Sequence, residues 1–120
     1  MKWYLAKLIY RIICGEGNHK PQFDEQLRLI TAEDELHAIL KARTTGHREE
    51  DTFLNDSQKL VQWKFIDVSE LHVLTEFIDG AEIYSSICEQ EDPDHFINKT
   101  YRRAAYLLES CNEKLFQQTK

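Results

Sequence analysis

The chain has 120 residues, of which 42% are hydrophobic and 30% charged, a composition typical of one globular domain (residues 1–120) and not of a disordered segment. Its 15 Lys and Arg against 21 Asp and Glu give a formal net charge of −6, which disfavours nucleic acid as a partner because the phosphates would be repelled. No apolar run reaches the roughly 18–20 residues of a membrane span, so we expect neither secretion nor membrane association.

The cysteines indicate the compartment. Cys14, Cys88 and Cys111 are odd in number and widely spaced. This usage favours free, buried thiols over a disulfide framework. The sequence therefore predicts a cytoplasmic protein.

The amino-terminal residues MKWYLAKLIYRIIC predict a strand that ends at Gly15. Alternation places Trp3, Leu5, Ile9 and Ile13 on one face, and the other face carries Tyr4, Ala6, Leu8, Tyr10, Ile12 and Cys14. Both faces are largely apolar. We therefore expect this strand at the centre of a sheet that is covered on each side, by helices or by a partner chain.

A hairpin should follow this strand. Residues 15–21 are rich in turn formers, and residues 23–30 alternate again, which predicts an antiparallel hairpin with a loop of seven residues. A loop longer than a hairpin needs is typical of functional loops.

The first helix is predicted to begin at Thr31, whose side chain would accept from the N–H of Asp34, with acidic residues in the first turn. Gly46 is the expected carboxyl-terminal stop. Leu36, Ile39, Leu40 and Arg43 follow at helical spacing, with Ala32 and Ala42 alongside, and this apolar stripe should lie on the sheet.

Residues 47–57 are polar and indicate a solvated connection held by Phe53 and Leu54, or a charged lip beside a binding surface. Residues 59–68 predict the third strand, with Val61, Trp63 and Phe65 on one face. Residues 69–77 fit either an extended continuation or a short amphipathic helix.

Asp79-Gly80 signals a turn, and residues 81–88 predict the fourth strand. Asp92-Pro93 then opens a helix with a capping residue followed by proline, and the tail from about residue 112 is expected to fray. The apolar stripe of this helix consists of Phe96, Thr100, Ala104, Leu107, Leu108, Cys111 and Leu115. The fold class is therefore α+β: an antiparallel four-stranded sheet, in the order strand-strand-helix-strand-strand-helix, packed by two helices.

Four segments carry a family resemblance: MKWYLAKLIYRI, FDEQLRLITAED, VQWKFIDVSEL and IDGAEIYSSI. Together, over roughly residues 1–108, they resemble the bacterial domain-of-unknown-function family 4288. The resemblance implies a small intracellular bacterial domain. It implies no reaction, because the family has no assigned activity.

The residues that could carry catalysis or hold a metal do not form a known motif. The five histidines are scattered, and Asp92 and Asp94 beside Cys88 and His95 are better explained as capping charge at a helix start. Cys14 lies near a loop with His19, yet no third residue would orient that pair. We expect no metal, no cofactor and no catalytic residue, which favours a non-enzymatic role.

Two acidic residues suggest a site. Glu25 and Glu82 would form an acid/base pair if both pointed into a pocket lined by Trp3 and Trp63. Otherwise they form cross-strand ion pairs with basic residues of the sheet, of which the candidates are Lys7, Arg11, Arg28 and Lys64.

The leading functional hypothesis is a non-catalytic interaction module that forms a homodimer and binds a protein or small ligand through sheet-edge or face aromatics. One alternative is an enzyme or sensor with a small-molecule pocket near Glu25, Trp63 and Glu82. Another is a protein that neutralises a basic toxin. On the last helix, Tyr101, Arg102 and Arg103 form a patch that favours an intermolecular contact over nucleic-acid binding.

Overall fold

The computed structural model describes the backbone of residues 1–118 and the side chains of residues 1–114. The elements in chain order are β1 (Lys2–Cys14), β2 (Gln22–Ala32), α1 (Glu35–Arg48), β3 (Asp51–Leu54), β4 (Leu60–Leu74) and α2 (Pro93–Gln118). This order confirms the predicted α+β class. The chain divides into two compact units, Met1–Ser85 and Ser86–Lys120.

The four strands form one antiparallel sheet in the order β2-β1-β4-β3. β1 is an interior strand: Tyr4 lies opposite Ile30 of β2 on one side and Val73 of β4 on the other. The predicted central position of β1 and its hairpin with β2 are both confirmed. β2 forms one edge of the sheet.

The core lies between α1 and one face of the sheet. The even-numbered residues in the middle of β1 are at most 2% exposed: Tyr4, Ala6, Leu8 and Tyr10. Ala38 and Ala42 are the fully buried residues of α1, because small side chains let the helix backbone approach the sheet closely. Near the end of α1, the Tyr10 hydroxyl donates to the Gly46 carbonyl at 2.9 Å.

Both predicted ends of the first helix are wrong. α1 begins at Glu35, and its N-cap is Asp34, whose carboxylate accepts from the His37 N–H at 2.8 Å. Thr31 cannot cap the helix, because it lies opposite Trp3 in the β1–β2 ladder. Gly46 is not a stop: it is a buried residue of the last turn of α1, which continues to Arg48.

The third predicted strand is confirmed and longer than expected. Residues 59–68 correspond to β4, which runs on as far as Leu74. The segment 69–77 is therefore extended as far as Leu74. The register of β4 against β1 shifts twice, between Lys7 and Leu8 at Ser69 and between Ile9 and Tyr10 at Ile66.

The fourth predicted strand is wrong. Residues 81–88 form no strand, and the fourth strand is β3, within the segment predicted as a polar connection. Phe53 pairs with Val61, and Leu54 with Leu60, across a turn in which Asn55 Oδ1 accepts from the Ser57 and Lys59 N–H groups. Since β1 and β3 occupy the two edges of β4, residues 81–88 have no edge of β4 to join.

The second unit contains α2, which starts at Pro93 as predicted, and Asp92 Oδ1 accepts from the His95 N–H at 3.1 Å. Up to residue 114, the large apolar side chains of α2 are exposed. Cys88 and Cys111 are exposed as well, which corrects the expectation of buried thiols; Cys14 is half-buried. The side chain of Leu115 and the end of the predicted fraying tail lie outside the described residues. Within residues 1–118, no helix is long and apolar enough to cross a membrane.

Candidate interaction surface

The two faces of the sheet differ. One face packs on α1; we call the other the open face, and it carries Trp3, Leu5, Lys7 and Ile9 of β1, Phe23, Glu25, Leu27 and Leu29 of β2, and Glu70 and His72 of β4. Phe23 is 56% exposed, Leu27 49% and Leu29 56%. The open face therefore presents a row of large apolar side chains along β2.

β2 is also an open edge. It spans 11 residues, and within residues 1–118 its only strand partner is β1, so its outer backbone edge has no ladder. Such an edge offers a row of N–H and C=O groups to another strand. Proteins usually cover or interrupt long edges, and no proline or register shift interrupts β2.

On the side of β2 that faces α1, polar side chains form a row with opposite charge at its two ends. Gln26 Nε2 donates to Asp24 at 2.6 Å, and Gln26 Oε1 accepts from Arg28 Nη2 at 2.7 Å. Arg28 also forms an ion pair with Glu49 at 2.6 Å, which fixes it beside the end of α1. We call Asp24, Gln26 and Arg28 the β2 polar row.

A polar cluster lies on the open face between the strands. Lys7 Nζ is 3.0 Å from Glu70 and 3.8 Å from Glu25. The hydrogen bond with Glu70 raises the pKa of Lys7, and the same bond holds the pKa of Glu70 below its usual value. Tyr84 adds a hydroxyl that donates to Glu70 at 3.3 Å.

Residues 75–85, which we call the strap, have no regular secondary structure and contact the open face through two aromatic side chains. Phe77 meets Trp3 edge-on with centroids 5.9 Å apart, and Tyr84 meets His72 in the same way at 5.3 Å. His72 Nε2 is buried, and it has no hydrogen-bond partner in the described part of the chain.

The predicted pocket residues are not brought together. Trp3 and Glu25 lie on the open face, whereas Trp63 packs beside the core on the α1 side, where its Nε1 donates to Asp24 at 3.1 Å. Glu82 is exposed on the strap. Glu25 instead lies beside Lys7, which is the cross-strand ion pair that the sequence offered as the alternative.

Sequence reasoning missed Glu70, the closer partner of Lys7. Alternation continued from Val61, Trp63 and Phe65 would have put Glu70 on the open face, but its position opposite Lys7 depends on the two register shifts between β1 and β4. The same alternation would have put His72 on the open face, where the shifted register sets it opposite Leu5.

The hairpin loop borders an open cleft of about 770 Å³, lined by Cys14, Gly15, Glu16, Asn18, His19, Lys20, Gln22 and Lys59. His19 Nε2 accepts from the Cys14 backbone N–H at 3.0 Å, and Nδ1 donates to the Lys20 carbonyl at 2.9 Å. Both ring nitrogens therefore hold the loop, and neither contacts the thiol as a base would.

On α2, the patch predicted from the sequence is exposed. Tyr101 is 68% exposed, and Arg102 and Arg103 border a surface groove of about 260 Å³ with Lys99, Tyr106 and Leu107. The metal candidates of the sequence are accounted for locally, since Asp92 caps α2. Among the described residues no three His, Cys, Asp or Glu side chains are grouped as metal ligands would be.

These features define a small α+β protein whose antiparallel sheet is covered on one face by a helix and carries an exposed, partly apolar opposite face. The chain belongs to the family described as a domain of unknown function (DUF4288), whose model matches residues 3–85. The match ends with the first compact unit, Met1–Ser85, and so falls short of the span to about residue 108 expected from the resemblance. No curated protein and no solved structure matches the chain.

Proposed function

We propose that this protein is a non-catalytic module for homotypic interaction, in which β2 of one copy pairs antiparallel with β2 of a second copy. The observation that carries the proposal is the uninterrupted outer edge of β2, flanked by exposed Phe23, Leu27 and Leu29. Pairing would satisfy the backbone edge and cover apolar surface at the same time.

The charges of β2 favour one register. Facing residues must lie on the same side of the sheet, so the partner of any residue can change only in steps of two. Each such step moves the twofold axis by one residue along β2. With Gln26 on the twofold axis, Asp24 of each copy faces Arg28 of the other, and Phe23 faces Leu29. Opposite charges directly across a strand pair are stabilising, each by roughly 0.2–1 kcal/mol.

The two neighbouring registers have less favourable charge pairing. Placing residue 25 on the axis sets Glu25 against Glu25 of the second copy, and like charges directly opposite are destabilising. Placing residue 27 on the axis sets Asp24 against Ile30 and Glu25 against Leu29, so no ion pair forms. The β2 polar row is therefore self-complementary in the register centred on Gln26.

The arrangement of the predicted pocket residues favours this role over an enzyme or sensor. A small-molecule site near Glu25, Trp63 and Glu82 would need those side chains to converge, yet Trp63 and Glu25 extend from opposite faces of the sheet. The exposed thiols Cys88 and Cys111 suit a reducing compartment, which supports a cytoplasmic location.

Cysteine crosslinking at β2 tests the proposal. In the full chain with Cys14, Cys88 and Cys111 replaced by serine, Q26C places two thiols across the axis, where Cβ atoms of facing residues are roughly 4.5–5.5 Å apart. Mild oxidation is expected to give a covalent dimer, measured on a non-reducing gel and by intact mass.

L27C in the same background is the matched control, because Leu27 would face Glu25 of the second copy and not another thiol. We expect it to give little covalent dimer. A monomeric mass of 14.2 kDa for the native chain at high micromolar concentration, together with equal crosslinking of Q26C and L27C, would refute the proposal.

A charge exchange sharpens the test. D24R and R28D each place like charges across the proposed axis and are expected to weaken the dimer, whereas the double variant D24R/R28D restores opposite charges. Light scattering coupled to size exclusion measures the three variants. Dissociation of the double variant as complete as that of either single variant would count against this register.

A further inference from the structure

We propose that α2 is a second self-association element, which pairs antiparallel with α2 of another copy. The twofold axis crosses the pair at the level of residue 106, whose own side chain points away from the partner. This inference concerns the unit beyond the DUF4288 match and does not rest on pairing through β2. The occupant of the helix face is the same helix of a second copy.

The first observation is an exposed stripe with coiled-coil spacing. Ile97, Tyr101, Ala104, Leu108 and Cys111 follow one another at intervals of four, three, four and three residues. All five side chains are exposed, with Ile97 at 45%, Tyr101 at 68% and Leu108 at 69%. A stripe with this period faces a single partner helix over several turns.

Side-chain size favours the antiparallel arrangement. With the axis near Tyr106, the large Tyr101 lies in the same layer as the small Cys111 of the second copy, and Ala104 lies in the same layer as Leu108. A parallel pair in register would set Tyr101 against Tyr101 and Ala104 against Ala104. Alternating large and small residues fill the layers, whereas two facing alanines leave a void.

Charge favours the same arrangement. The amino-terminal half of α2 carries Lys99, Arg102 and Arg103 with Asp94 in the first turn, and the carboxyl-terminal half carries Glu109 and Glu113 with Lys114. Antiparallel pairing places the basic half of one helix beside the acidic half of the other and opposes their dipoles. Parallel pairing would align the three basic residues with their own copies.

Thiol crosslinking distinguishes these arrangements. In the full chain with Cys14 and Cys88 replaced by serine, Cys111 is the remaining thiol, and in the antiparallel pair its two copies are separated by ten residues of rise, roughly 15 Å. We therefore expect no Cys111 disulfide in this parent. Y101C in the same background adds a thiol beside Cys111 of the second copy, and oxidation should give a covalent dimer.

Y106C is the matched control, since it replaces the same residue type on the opposite side of the helix. We expect roughly tenfold more covalent dimer from Y101C than from Y106C, because only the former holds two thiols at high effective concentration. Strong self-crosslinking of the parent would establish a parallel pair and overturn the proposal, as would equal yields from Y101C and Y106C.

A last arm separates this proposal from pairing through β2. L108D should abolish crosslinking in the Y101C background while leaving crosslinking through Q26C unchanged, because the two substitutions lie in different units. Crosslinking of Y101C that persists with L108D would also overturn the helix pair. The yield should rise with protein concentration, and a yield independent of concentration would contradict an intermolecular contact.

Discussion

The two faces of the sheet are built from alternate residues of the same strands, yet they follow different physical rules. On the α1 face, Tyr4, Leu8 and Tyr10 are almost fully buried, so truncating any of these side chains would leave a cavity. On the open face, the exposed leucines of β2 flank an ion pair between Lys7 and Glu70. Beneath the strap the open face is buried too, since Leu5 is 5% exposed, so the part of it that is available for contacts with another molecule is the row along β2.

Truncating one leucine on each face should give the largest difference between the two faces. L8A removes a fully buried side chain and is expected to lower the free energy of unfolding by about 2–5 kcal/mol through lost burial and a cavity. L27A, on the neighbouring strand, should change it by no more than about 0.5 kcal/mol, because Leu27 is half-exposed.

Urea unfolding measures both variants, at a protein concentration low enough for the chain to be monomeric. Equal losses for L8A and L27A would mean that the open face is buried in the folded monomer, which would remove the contrast between the faces.

A second substitution tests how closely α1 approaches the sheet. A Cβ at position 46 would lie 2.6 Å from Phe65 Cδ1, far inside van der Waals contact. Alanine in place of glycine within a helix normally stabilises by up to about 1 kcal/mol. Here the clash should reverse the sign, and we expect G46A to destabilise the chain by about 1–3 kcal/mol.

The control for G46A is the same substitution in an F65L background, where the smaller side chain has no ring to clash. The cost of G46A should fall there, and thermal unfolding of the four chains gives the coupling. A stabilising G46A in the native background would show that helix and sheet have room to separate.

Much of this fold is predictable from local pattern. Alternation in β1 and β2, and the turn residues between them, are enough to place the central hairpin, since each strand's own side chains report its faces. Asp92-Pro93 likewise identifies the start of α2, because the cap is formed within one turn. These features depend on near neighbours in the chain.

The features that were predicted wrongly or missed depend on partners that are distant in the chain. Thr31 has the chemistry of a cap, but ladder pairing with Trp3 extends β2 past it. β3 is short and exposed, so its strand character comes from pairing with β4 and not from its own composition. The polar cluster was missed for the same reason, because Glu70 reaches Lys7 only when β4 continues beyond residue 68.

A smaller effect is expected from the one hydrogen bond that joins β1 to the end of α1. Y10F removes the hydroxyl that donates to Gly46 and should cost about 0.5–1.5 kcal/mol in urea unfolding. Burial also raises the pKa of Tyr10, so the native chain should lose stability as the pH rises above the ordinary value of 10.0, and Y10F should reduce that loss. An unchanged alkaline profile would show that Tyr10 is not the group responsible.

The smallest effect belongs to the open face. The hydrogen bond with Lys7 lowers the pKa of Glu70, so the folded chain binds a proton there less readily than the unfolded chain. The stabilisation of the fold by this pair is therefore complete above the ordinary pKa of 4.5 and is lost as the pH falls below it. E70Q should therefore flatten the acid limb of stability against pH, although only in part, since Glu50 and Asp67 also have lowered pKa values. E25Q is the control, because Glu25 is 62% exposed and 3.8 Å from Lys7, and solvent screening should leave its profile close to that of the native chain. An acid limb as steep in E70Q as in E25Q would mean that the Lys7–Glu70 pair contributes nothing to folding, and the open face would then owe its order to the strap and the strand ladder alone.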